Sequence, residues 1–274
     1  MAVLEVPGAR IQYESVGSGP PLILVPGGNG TARIFGPLAH ELAQHYTVIT
    51  YDRRGFGRSR LSDAQDYERR LETDATDLRR IVDQVAAEPA IVFGPSSGAI
   101  VVLRALTLYP RAIDKVVAYE PPAMEQLPDG RHWLEFFDGV YELYRRSGIG
   151  PALDVFNQTT FAIEDQMFLA RLRDVSQPEV RDDVVYWFEH ELRQYTRVRF
   201  DLRALREYSD RITVAAGRAS YGHPLHSVCR ELARNIGQDL VELPGGHTGY
   251  ATRSDEFASA LLDVLATMRK AAAA

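Results

Sequence analysis

With 274 residues, 45% of them hydrophobic, the chain can bury one substantial core and is long for a simple domain, which suggests one domain carrying an insertion. A net charge of −6 shows no excess of base, so a nucleic-acid footprint is not expected. The single cysteine, Cys229, excludes an internal disulfide and a cysteine-paired zinc site, and no stretch approaches the ~18 apolar residues of a membrane span.

The first residues, Met1 to Gly17, alternate apolar and polar side chains and lack the basic flank and apolar run of a secretion signal, so a soluble, cytoplasmic protein is expected. Ala2 to Val6 and Arg10 to Val16 read as two strands turning at Pro7-Gly8. Pro21 to Val25 is continuously apolar, as a strand buried on both faces should be, and it runs into Pro26-Gly27-Gly28-Asn29-Gly30. Helical spacing follows in Phe35, Leu38, Ala39 and Leu42, then a strand from Tyr46 to Tyr51. Asp52-Arg53-Arg54-Gly55-Phe56-Gly57-Arg58-Ser59 is a polar loop punctuated by glycine, and Leu71, Ala75, Leu78, Val82 and Val85 mark an amphipathic helix after it. Ala90 to Phe93 is the next strand, and an apolar helix without an early breaker leads from its turn towards Pro110. Lys115 to Tyr119 forms a further strand, stopped at Glu120-Pro121-Pro122, where two prolines remove backbone donors.

The pattern then changes. From about Ala123 to Ser209 no convincing strand is present, and helical stretches rich in aromatic residues take over, such as Trp133 to Tyr144 and Val180 to Tyr195. Residues 123–209 are therefore expected to form a helical cap inserted into a core made of 1–122 and 210–274. Alternation resumes with a strand at Ile212 to Ala216, a helix around Pro224 to Asn235, a strand at Leu240 to Leu243, and Pro244-Gly245-Gly246-His247. A closing helix carries Phe257, Leu261, Val264, Leu265 and Met268 on one face, with Ser254 as its expected N-cap, and Ala271 to Ala274 is expected to fray. Strands alternating with helices predict an α/β fold: a mostly parallel sheet wrapped on both faces, with active groups at the carboxyl ends of the strands.

Gly94-Pro95-Ser96-Ser97-Gly98 sits between the strand and the apolar helix and has the G-x-S-x-G form of a nucleophile elbow. A serine raised on so tight a turn sits in strained backbone, and bulk two positions to either side would strike neighbouring main chain, so glycine is required there. Ser96 is the candidate nucleophile. A serine hydroxyl needs a base to take its proton, and of seven histidines only His247 follows a late strand through two glycines to the sheet edge that holds the elbow. The oxyanion formed on attack needs fixed donors; the N–H of Ser97 is one, and Gly28, with Asn29 as its neighbour and alternative, is placed to supply the other.

PGGNG, DRRGFGRS, GPSSG and GGH, in that order after successive strands, resemble the α/β-hydrolase superfamily over nearly all of the core. The resemblance implies an eight-stranded sheet and a Ser-acid-His triad, with DRRGFGRS as a structural loop. The chain departs from the common pattern at the acid: most members carry a carboxylate after the next-to-last core strand, but Val214-Ala215-Ala216-Gly217-Arg218-Ala219-Ser220-Tyr221 has none, nor is there any until Glu231. Glu120 ends the strand after the elbow and is placed for the role, as in some dehalogenases and lactone hydrolases of the superfamily. The alternative makes Glu120 a structural carboxylate and has His247 held by a backbone carbonyl, or by Ser220 through water. In the cap, Trp187 and His190 are expected to face substrate, together with Phe188 and Tyr195, favouring an apolar ligand.

The expected activity is a cofactor-independent, metal-free serine hydrolase acting on a carboxylic ester or lactone of a small molecule, as a monomer or homodimer without nucleic-acid or membrane partners. A lyase or cyclase using the same site, or a non-catalytic receptor on this scaffold, would share these motifs.

Overall fold

The computed structural model of the chain describes every residue except Ala87 and Ala274, and the backbone alone for residues 270–273. The fraying expected at Ala271 to Ala274 therefore falls largely outside the described residues. β1 (Ala2–Val6) and β2 (Ala9–Val16) form an antiparallel hairpin in which Val6 faces Ala9, leaving Pro7-Gly8 as a two-residue turn with Gly8 at φ 78°. β3 (Pro21–Leu24), α1 (Gly36–Leu42), β4 (Thr47–Tyr51), the two-residue β5 (Arg60–Leu61), α2 (Arg70–Val85), β6 (Ala90–Pro95), α3 (Ser97–Leu108) and β7 (Ile113–Tyr119) follow.

Between β7 and the next strand the chain makes a purely helical excursion: α4 (Gly130–Ser147), α5 (Ile149–Thr160), α6 (Ile163–Leu172), α7 (Pro178–His190), α8 (Leu192–Thr196) and α9 (Leu202–Glu207). It returns through β8 (Ile212–Gly217), α10 (Pro224–Ile236), β9 (Val241–Leu243), α11 (Gly249–Thr252) and α12 (Ser254–Ala273). The stretch Val180 to Tyr195 is not one helix. It breaks at Glu191, which leaves helical geometry at φ −135° and ψ −48°. Ser254 is the first helical residue of α12 and its hydroxyl donates to the Asp255 carboxylate, so the N-cap role expected of it is not the one it plays.

The strands lie in the order β1-β2-β4-β3-β6-β7-β8-β9, antiparallel through β1, β2 and β4 and parallel from β4 to β9, while β5 pairs with β2 as a short ninth strand. Apolar runs in the central strands follow from burial on both faces. Ile23 and Val92 join a core with Leu78, Ile100 and Val228 from α2, α3 and α10. Their neighbours Leu22, Leu24 and Phe93 point the other way, towards Leu38 of α1 and Phe257, Leu261 and Leu265 of α12. Each such side chain contributes about 2 kcal/mol on burial. Among the described residues no helix is long and apolar enough to cross a membrane. The parallel strands all point their carboxyl ends to one edge, so β3, β6, β7 and the loop after β9 deliver Gly28, Ser96, Glu120 and His247 to the same place.

Candidate active site

Ser96 lies at φ 54°, ψ −126°, a conformation that L residues with a side chain rarely adopt, and its N–H is held by the Tyr119 carbonyl at 2.8 Å. The two glycines of the motif are sterically required. A Cβ on Gly98 would overlap the Val25 carbonyl oxygen, and one on Gly94 would overlap the Gly98 carbonyl. The close approach of β3, β6 and α3 therefore turns Ser96 outwards at the strand end.

Glu120 is the other non-glycine residue with positive φ among those described, at 49°. Its side chain is fully buried, and its two oxygens have one donor each: Gly217 N–H reaches Oε1 at 2.8 Å, and His247 Nδ1 lies 2.7 Å from Oε2. The end of β8, which lacks a carboxylate, thus supplies a backbone donor to the carboxylate from β7. The His247 ring stacks on Phe161 with centroids 4.5 Å apart. Its loop is tied down by Asp165, a buried residue in the first turn of α6: Asp165 accepts from the N–H groups of His247 and Thr248 at 2.9 and 2.7 Å and from the Thr248 hydroxyl at 2.7 Å. A Cβ on Gly246 would overlap the Asp165 carboxylate, which explains the second glycine before His247.

The loop after β3 is braced from behind. Arg53, fully buried, donates to the Gly27 carbonyl at 2.7 Å, to Asp74 at 2.9 Å and to Glu191 at 2.8 Å. Burial alone would lower its pKa, but Glu191 and Asp74 outweigh that and hold it above the ordinary arginine range. Arg54 pairs with Asp77, and Asp52 accepts from Ala32 N–H, Arg58 N–H and Arg58 Nε, so the loop Asp52 to Ser59 is an internal brace. Glu191 also reaches Arg70, at 3.5 Å, which gives the break between α7 and α8 a cause: its carboxylate is drawn into the core.

Asp183 of α7 accepts from Gly57 N–H at 2.8 Å, and burial raises its pKa from 3.8 to about 6. The folded state thus holds this proton where the unfolded chain has released it, so stability is lost as pH rises from about 4 to about 6. Asp183→Asn, which keeps an oxygen for Gly57, is expected to stabilise the fold by about 1 kcal/mol at pH 7, after discounting for solvent screening, and to change nothing at pH 4. Urea unfolding at the two pH values checks this.

A cavity of about 30 Å³ is lined by Gly28, Ser96, Ser97, Phe156, Phe161 and Trp187. A second, of about 20 Å³, adjoins it across Gly28 and Trp187 and includes Asn29, Arg173 and Asp183. A Cβ on Gly28 would come within 2.6 Å of Trp187 Nε1, so glycine there lets the indole close over the loop. Tyr195 reaches the first cavity while its hydroxyl donates to Asp74 at 2.6 Å. Phe188 stacks on Tyr144 instead. His190 stacks on Tyr67 at 3.7 Å, edge-on to Tyr186, and is not among the residues lining either cavity. Aromatic packing against the turn before α2 competes for it more effectively than the pocket. Among the described residues no group of three His, Cys, Asp or Glu side chains is arranged to hold a metal ion.

Residues 20–252 match the family described as alpha/beta hydrolase fold. The chain belongs to the α/β-hydrolase family. It is also 31% identical over 272 residues, 97% of this chain and 96% of the relative, to the hydrolase YraK of Bacillus subtilis strain 168. Among solved structures this α/β hydrolase is similar to the enol-lactonase of Burkholderia xenovorans LB400, with TM-score 0.70 and 20% identity, covering 97% of this chain and 100% of that one. An α/β hydrolase from Sphaerobacter thermophilus DSM 20745 is 26% identical with TM-score 0.67, covering 96% and 99%. A hydrolase function follows from the family and the curated relative.

Two groups in the α/β hydrolase's site are not apparent from sequence. Asp165 lies 82 residues before His247 in a helix without a motif, and Glu191 lies 138 residues after Arg53. The one local signal for Glu191 is a charged residue at the join of two helices.

Proposed function

We propose that this α/β hydrolase cleaves a carboxylic ester or lactone through an acyl-enzyme, without a cofactor, under a cap formed by the helices between β7 and β8. Ser96 Oγ attacks the carbonyl carbon while His247 Nε2 takes its proton. The Glu120 carboxylate accepts from Nδ1–H, which leaves Nε2 free as the base and stabilises the imidazolium that forms. The N–H groups of Gly28 and Ser97 hold the oxyanion. Collapse of the tetrahedral adduct breaks the C–O bond, and the leaving oxygen takes the proton from His247. Water, activated by the same histidine, then releases the acid and restores Ser96.

The observation that supports this reading most is the 2.7 Å contact between His247 Nδ1 and a Glu120 oxygen, fully buried and at the strand end next to Ser96. The enol-lactonase among its structural neighbours is consistent with lactone chemistry. A cavity of about 30 Å³ is too small for a substrate, so the helices bearing Phe156 and Trp187, with Phe161 at the join of α5 and α6, must swing aside to admit one. Intact-protein mass spectrometry after incubation with a fluorophosphonate is expected to show one adduct, mapping to Ser96, together with turnover of 4-nitrophenyl esters or small lactones. A protein that neither forms the adduct nor turns over either substrate class would overturn the proposal.

A further inference from the structure

The buried arginines of this chain have carboxylate partners: Arg53 has Asp74 and Glu191, Arg54 has Asp77, and Arg70 has Asp74 and Glu191. Arg173, at the carboxyl end of α6, differs. Its guanidinium is wedged between aromatic faces, 5.0 Å from the Trp187 ring centroid and 5.4 Å from that of Phe156. Its one side-chain hydrogen bond among the described residues goes from Nη1 to the neutral Asn157 Oδ1, at 3.3 Å. It makes no ion pair with a carboxylate among those residues. Asp183, which lines the second cavity with it, is engaged instead by Gly57 N–H.

Arg173 is half-buried, and a guanidinium packed between aromatic rings without a counter-charge is costly unless something supplies that charge. Burial pushes the Arg173 pKa down to about 10, which still leaves it protonated at neutral pH. Of its five N–H donors one is used by Asn157, and the planar fork that remains matches a carboxylate. Arg173 lines the cavity that holds Ser96 and also the cavity that adjoins it at Gly28, so a charge bound there lies on the same molecule as a carbonyl at Ser96.

We infer that Arg173 anchors a free carboxylate of the substrate, so that the preferred substrate is an ester or lactone with an apolar body and one carboxylate remote from the scissile bond. This rests on the hydrolase reading for the scissile bond, though not for the anion site. Phe137, Phe156, Phe161 and Trp187 hold the apolar body, and the Trp187 indole, pressed between Gly28 and Arg173, separates the two polar ends. Arg173 is a specificity residue: it touches substrate but no reacting atom.

The test pairs 4-nitrophenyl hydrogen glutarate, an anionic ester, with neutral 4-nitrophenyl pentanoate, on wild type, Arg173→Gln and Arg173→Lys. Wild type is expected to prefer the anionic ester in kcat/KM. Arg173→Gln should lose about 100-fold on that ester while staying within about threefold on the neutral one, and Arg173→Lys should recover part of the loss. A second arm needs no turnover: glutarate, titrated calorimetrically, should bind wild type at least tenfold more tightly than Arg173→Gln, and uncharged glutaramide should not distinguish them. Equal effects on both esters, or glutarate binding that is absent from wild type or indifferent to Arg173, overturns the inference while Ser96-dependent hydrolysis still stands. Binding of glutarate through Arg173 without hydrolysis of either ester leaves the anion site standing and counts against ester cleavage at Ser96. Far-ultraviolet circular dichroism of each variant separates these outcomes from misfolding.

Discussion

Ser96→Ala is expected to lower kcat/KM on a 4-nitrophenyl ester by at least about 10³-fold, down to what an oxyanion site and substrate binding supply without a nucleophile. The fold should be indifferent to the change. Alanine at φ 54° carries the same backbone strain as serine, and the hydroxyl stands at the strand end beside a cavity and not inside the sheet. Unfolding free energies of the two proteins should therefore agree within about 1 kcal/mol, which distinguishes lost chemistry from lost structure. Near-wild-type turnover with the alanine in place would mean that water, activated at His247, attacks directly and that no acyl-enzyme forms.

Glu120→Gln is the second large effect, an expected fall in kcat of about 10²- to 10⁴-fold. The cause lies in the number of acceptors. The carboxylate gives one oxygen to Gly217 N–H and the other to His247 Nδ1, whereas an amide has a single oxygen. If that oxygen stays with Gly217, the amide N–H faces Nδ1 and drives the ring proton to Nε2, where it blocks the base. If it turns to His247, a buried backbone donor is left unpaired at a cost of about 1–3 kcal/mol. Ser220→Ala, in a buried residue just beyond β8, should leave activity intact. The reverse pattern, with only Ser220→Ala crippled, would show that the histidine is held by another route. Kinetics of both variants, with circular dichroism as the control for folding, decide between them.

The core was readable because its signals are local. Five-residue apolar runs, helical spacing such as Leu71-Ala75-Leu78-Val82, and glycine turns identify strands, helices and their junctions without knowledge of partners. The turns that carry Ser96 and His247 are local too, and their glycines record close approach: Gly94 against Gly98, Gly98 against the Val25 carbonyl just past β3, and Gly246 against the Asp165 carboxylate. His190 shows the limit. An aromatic stripe at helical spacing does not reveal which way it faces, and Tyr67, far off in the chain, decided that His190 packs on the turn before α2.

The sequence by itself determined the α/β alternation, the family motifs and the glycine-flanked turns that carry Ser96 and His247, since each is written in neighbours a few residues apart. Tertiary structure alone decided that Glu191 breaks a helix to reach Arg53, that Asp165 ties the histidine loop to α6, that Gly217 N–H completes the shell of Glu120, and that Arg173 stands at the pocket with a neutral amide as its hydrogen-bond partner among the described residues. Charges and hydrogen-bond donors pair by distance in space, and chain separations of 138, 82 and 97 residues leave no periodic trace in the sequence.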